Sequence, residues 1–174
     1  VLSLFPVLSL ILESGLLGYE GAEVYGHAWS YWWRSEQLWP WLDGTDLAYG
    51  TSTWPSIDPL PTVFVGVLSS LFGTLWSYNI FVILSTYLAA IGGWQLAKRF
   101  KGHPQSGALI VAWFPSFLGA QYSGLTEDFS LGLICLSFSL LLSSSRRHIL
   151  IGAFLLGLVP WFGLVLGWYS ALAA

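Results

Sequence analysis

The 174-residue chain has no methionine, one cysteine and few charges. Charged residues make up 9% of it and hydrophobic residues 55%, whereas soluble domains carry roughly 25% charged residues. With several long apolar runs, this deficit excludes an ordinary soluble domain and places the chain in the membrane class. No stretch outside those runs could build its own core, so a soluble domain on one anchor is excluded too. The lone Cys135 excludes an internal disulfide and a cysteine-cluster metal site. It sits inside an apolar run and reads as a small hydrophobic residue. There is no phosphate-binding glycine loop, no serine-hydrolase elbow and no nucleic-acid motif, so no nucleic-acid partner is expected. Internal repeats and low-complexity linkers are also missing. A translated protein needs an initiator, so a chain starting at Val1 without methionine is expected to be processed or part of a longer one. Residues 1–17 read as a truncated first transmembrane helix. A signal peptide is the alternative, but it would need a basic n-region and a small-residue cleavage site.

What the chain does have is concentrated in one polar stretch, residues 19–61, between apolar segments. It holds six of the nine carboxylates (Glu20, Glu23, Glu36, Asp43, Asp46 and Asp58) and six of the eleven tryptophans (Trp29, Trp32, Trp33, Trp39, Trp41 and Trp54). A polar loop this long between spans is functional or disordered, and disordered segments are poor in aromatics. The loop is therefore expected to fold as a pad on the membrane surface. Within it, residues 22–38 read as a helix. Glu23, His27, Ser30, Arg34 and Gln37 recur at spacings of four, three, four and three, which is one polar stripe on an otherwise apolar helix. Such a helix can lie in the interface with its polar face toward a cavity or water. Pro40, Pro55, Pro59 and Pro61, with Gly44 and Gly50, make the rest rigid and irregular.

Five of the six Lys and Arg residues fall in two short groups, Lys98, Arg99 and Lys101, then Arg146 and Arg147. Cytoplasmic loops carry the Lys/Arg excess, so both groups are expected inside. The segment between them must then cross twice, as helices over 107–121 and 128–142. The run 76–97 has about the 20 residues a crossing needs and goes from outside to inside. Residues 62–73 are too short to span and are expected to lie in the interface. The last helix, 149–168, returns outward, with Trp168 and Tyr169 as interfacial anchors. The expected fold is all-α: one polytopic transmembrane helix bundle, with two juxtamembrane helices in its first outer loop. The protein is expected to be integral to the plasma (inner) membrane, with lipid as a partner and the 19–61 loop non-cytoplasmic.

This topology puts the pad and the Glu127–Asp128 turn on the same side. Glu23 and His27, four apart, could form a general-base pair, a metal site or an ordinary solvated contact. Glu127 and Asp128 could cap the helix they precede or bind a hydroxyl, a cation or a catalytic water. Arg34 is the one outer cation and suits a phosphate, a lipid headgroup or a salt bridge to Glu36 or to an acid elsewhere in the pad. The tryptophans read mainly as interface anchors. His103 and His148 read as surface residues.

The order of these elements resembles the N-terminal part of the GT-C superfamily of polytopic glycosyltransferases, which use polyprenyl-phosphate-linked sugars. Glu23-Val-Tyr-Gly-His-Ala-Trp29, followed by Ser-Tyr-Trp-Trp33, sits where that family has its first acidic motif. Asp58-Pro-Leu-Pro61, leading into Thr62-Val-Phe-Val-Gly-Val-Leu-Ser-Ser-Leu-Phe-Gly73, looks like the second juxtamembrane helix running directly into a span. Ala97-Lys-Arg-Phe-Lys-Gly102 is similar to the basic end of that span, and Gly124-Leu-Thr-Glu-Asp-Phe-Ser130 lies where the second acid is expected. The resemblance covers roughly 16–142. The first acid here is Glu23 rather than the family's commoner Asp or Asp-Glu pair, and Glu20 competes with it for the role.

The resemblance implies a catalytic set of Glu23, Glu127 and Asp128, with His27, Arg34, Glu20 and Asp58 as substrate-binding residues. It implies no metal and no cofactor, the lipid-linked sugar being the donor substrate. Two other classes fit the same residues. One is a non-catalytic subunit of a membrane complex, with the tryptophan pad as its docking surface. The other is a transporter fragment with acids in an ion path.

Overall fold

A computed structural model of the chain describes residues 15–16, 24–36, 59–117 and 128–162. Among the described residues the fold is all-helical, with six helices and no strand. They are α1 (Val24–Glu36), α2 (Pro59–Phe72), α3 (Thr74–Arg99), α4 (Pro104–Phe117), α5 (Asp128–Leu141) and α6 (Arg146–Phe162). The described residues form two compact units, one up to Val82 and the other from Ile83 onward.

The first unit holds α1, α2 and the start of α3. Proline opens α2 at Pro59 and Pro61, in the first turn, where backbone N–H groups have no helical partner to lose. Gly73 ends it with φ 81°, a left-handed conformation that side chains disfavour and glycine adopts freely. The Gly73 N–H donates to the Ser69 carbonyl (2.9 Å). The Gly73 carbonyl then accepts from the Ser77 N–H (3.1 Å) and the Ser77 hydroxyl (2.9 Å). One residue therefore closes α2 and starts α3. The 26 residues of α3 extend about 39 Å at 1.5 Å each, against a hydrocarbon layer of roughly 30 Å. Among the described residues, it is the one helix long and apolar enough to cross a membrane.

The second unit is built around the lower part of α3. Gly92 and Gly93 are adjacent and so face directions about 100° apart. A Cβ on Gly92 would stand 2.6 Å from the Gly132 carbonyl oxygen of α5, and one on Gly93 would collide with the Gly107 carbonyl of α4. Two helices thus approach α3 at backbone distance, each on its own face. Gly152 does the same for α6 against Ser137 of α5. The interior is small and rich in hydroxyls (Ser85, Thr86, Ser130, Ser137 and Ser139 are buried). The exterior carries large apolar side chains, among them Tyr87, Ile91, Ile110, Leu150 and Phe154.

After Arg99 the chain turns through Phe100 into Lys101. The Lys101 N–H donates to the Lys98 carbonyl (3.2 Å) and the Gly102 N–H to the Ala97 carbonyl (2.8 Å). This is a Schellman helix ending, but its left-handed position is held by Lys101 at φ 55° rather than by glycine. A side chain there costs roughly 1–2 kcal/mol.

Candidate functional site

His27 and Arg34 lie seven residues apart on α1, two turns, so they share a face. Tyr31 stands between them. All three are buried, at 9%, 6% and 0% exposure, while Tyr25, Trp29 and Trp32 are exposed at 58%, 42% and 46%. The polar stripe, expected to look into a cavity or to water, is turned onto the rest of the unit and the aromatic face is turned outward. Tyr31 organises this interior. Its ring lies 6.4 Å from that of His27, 6.1 Å from Tyr78 and 6.5 Å edge-on from Phe81, all within the 4.5–7 Å range of paired aromatic rings. Phe64 of α2 also reaches Phe81, at 6.5 Å.

The Arg34 stem crosses α2 at Gly66. A Cβ on Gly66 would collide with the Arg34 Cγ and stand 2.7 Å from its Cβ. Only glycine leaves room for the guanidinium stem to enter. Glu36, the acid weighed as its surface partner, is exposed at the end of α1. Two residues along a helix is more than half a turn, so the Glu36 side chain does not face that of Arg34. On the flanks of α1, the Ser30 hydroxyl donates to the Gly26 carbonyl (2.8 Å) and the Ser35 hydroxyl to the Trp32 carbonyl (2.6 Å). These serines are turned back onto their own helix.

The second unit collects the basic groups at one end. Arg99 Nε donates to the Ser139 carbonyl (2.8 Å), which ties the end of α3 to the last turns of α5. Arg146 and Arg147 begin α6 just beyond, where the Ser143 hydroxyl meets His148 Nδ1 at 3.0 Å. His103 and His148 are exposed, and Cys135 is buried beside Gly92. A groove of about 360 Å³ lies between α3 and α4, lined by Ala90, Ile91, Trp94, Gln95 and Ala108.

Of the residues expected to form the site, Glu20, Glu23, Asp58 and Glu127 lie outside the described residues. Asp128 is the first residue of α5. His27 and Arg34 are brought to one buried face. No family model, curated protein or solved structure matches the chain. Among the described residues, no three His, Cys, Asp or Glu side chains gather as a metal site would require. The reading by residue type missed Tyr31 and Tyr78, the centre of the first unit. Tyr31 was legible as a stripe member, because it lies four residues after His27 and three before Arg34. Ser130 was also missed; its hydroxyl is buried two residues after Asp128, without a hydrogen-bond partner among the described residues.

Proposed function

We propose that the chain is a polytopic membrane protein of the GT-C type. It would transfer a sugar from a polyprenyl-phosphate donor to an acceptor at the non-cytoplasmic face. The observation that carries this reading is the joint at Gly73. A short apolar helix, α2, passes through one residue into a helix of membrane-crossing length, the arrangement that the sequence resemblance implies. The exposed apolar side chains of the second unit, over a hydroxyl-rich interior, support the membrane placement. In water such a surface costs roughly 25 cal/mol per Å², and in lipid it costs nothing comparable.

In this reading Glu23 takes the proton of the acceptor hydroxyl. The acceptor oxygen bonds to the anomeric carbon as the bond from that carbon to the phosphate oxygen breaks. Polyprenyl phosphate leaves with the electron pair. Glu127 or Asp128 orients the acceptor, and Glu20 and Asp58 hold sugar hydroxyls. His27, one turn after Glu23, lies on the same helical stripe. Arg34, buried against Gly66, fixes the helix that carries His27.

The test is transfer from a panel of polyprenyl-phosphate hexoses by membranes containing the chain, followed as released polyprenyl phosphate. At least one donor should be consumed. Glu23→Gln should slow release by about 10²–10⁴-fold, the usual contribution of a positioned general base, at unchanged protein level. If every donor survives while the chain remains in the membrane fraction, glycosyl transfer is refuted. The docking-subunit reading, which the outward Tyr25, Trp29 and Trp32 favour, then takes its place.

A further inference from the structure

On α3, Tyr87, Ile91, Trp94 and Lys98 recur at spacings of four, three and four and form one stripe. All four are exposed. Ile91 and Trp94 line the groove against α4, and Lys98 stands one turn beyond Trp94 on the same face. Lys101 follows, held in a left-handed conformation where glycine would be unstrained. Its side chain is exposed, three residues after Lys98. The sequence holds no Asp or Glu from residue 59 to residue 126, so neither α3 nor α4 supplies a countercharge. The C-terminus of α3 offers about half a negative charge, against the full cations of Lys98, Arg99 and Lys101. Arg99 is turned toward α5 through its bond to Ser139, whereas Lys98 and Lys101 are exposed.

We infer that the groove between α3 and α4 binds an anionic phospholipid, with an acyl chain along Ile91 and Trp94 and its phosphate at Lys98 and Lys101. An apolar trough ending in cations matches one molecule that is apolar along its length and anionic at its head. Basic pockets between membrane helices bind acidic headgroups in this way. The site is separate from the proposed donor site. Asp128 opens α5, and Ser139, beside the basic end, lies eleven residues on, about 16 Å along the helix. The inference rests on the membrane placement proposed above and not on glycosyl transfer.

The full chain is placed in phosphatidylcholine nanodiscs doped with brominated phosphatidylglycerol or, separately, with brominated phosphatidylcholine. Trp94 quenching is read as the difference between the wild type and Trp94→Phe. It should be stronger with the anionic lipid, by about fivefold for each contributing lysine. Lys101→Gly keeps the turn, relieves its strain and removes one cation. It should lower that preference without lowering the melting temperature, and adding Lys98→Gln should abolish it. Millimolar inorganic phosphate should leave the preference intact. Equal quenching by both lipids overturns the inference, as does loss of the preference to free phosphate. Trp94 unquenched while other tryptophans are quenched overturns it in favour of a protein contact. If no tryptophan is quenched by either lipid, the membrane placement falls as well.

Discussion

Gly66 and Gly26 look alike in the sequence and differ in what surrounds them. A Cβ on Gly66 meets the Arg34 stem, whereas one on Gly26 meets nothing within 4 Å. Gly66→Ala should therefore destabilise the protein by about 1–3 kcal/mol, the cost of overpacking a filled site. Gly26→Ala, in the interior of α1, should stabilise it by about 0.5–1 kcal/mol through the restricted unfolded chain. Thermal melts of both variants in one detergent check the pair, and the opposite order would remove Arg34 from its assigned place. Neither outcome can be read from residue type, since the contact joins residues 32 positions apart in sequence.

At the scale of the element, the helices were legible because apolar runs broken by Gly, Pro and charge mark their own ends. Residues 22–38 were expected to be helical and α1 runs Val24–Glu36; residues 76–97 were expected and α3 runs Thr74–Arg99. The two extra residues at each end of α3 have a local cause. Ser77 bonds back to Gly73 at the start of α3, and the Schellman turn at Lys101 carries its end past Lys98. What the pattern did not give is which face of α1 points inward. Hydrophobic periodicity assumes water outside, and here the aromatic side is the exposed one. If that side lies in lipid, Trp29 and Trp32 should emit at shorter wavelength in vesicles than in their absence. Replacing both with Phe should remove most of the α1 contribution to that shift. A second expectation belongs to the α3–α4 pair. Gly107→Leu places a side chain where even a Cβ would lie 2.5 Å from the Ala97 Cβ, so it should separate the two helices. The melting temperature should drop by several degrees, as an overpacking cost of about 1–3 kcal/mol implies.

Over the whole molecule, charge distribution was the most informative signal in the sequence. It grouped five of the six Lys and Arg residues into two clusters, and the second unit brings both clusters to one end through the Arg99–Ser139 bond and the start of α6 at Arg146. The proposed catalytic part was less legible. Carboxylates act by position, and Glu23 and Glu127 each have a bland role that suits the same local sequence. A direct test at this scale is cysteine accessibility from either side of a sealed vesicle. Single cysteines at Lys101 and Arg147, in a Cys135→Ser background, should be labelled from the same side, and a cysteine at Glu20 from the other.

The Gly73 joint has a mechanical consequence. With one residue between α2 and α3, there is no slack to absorb relative movement. A tilt of the start of α3, up to Val82, is passed on to α2, and Gly66 of α2 is crossed by the Arg34 stem of α1. At about 39 Å, α3 is longer than a typical hydrocarbon layer, so in a membrane it adjusts to local thickness by tilting. Bilayer thickness then becomes an input to the geometry of the helix next to Glu23, and the lipid chain length in which the protein is assayed acts as a dial on it.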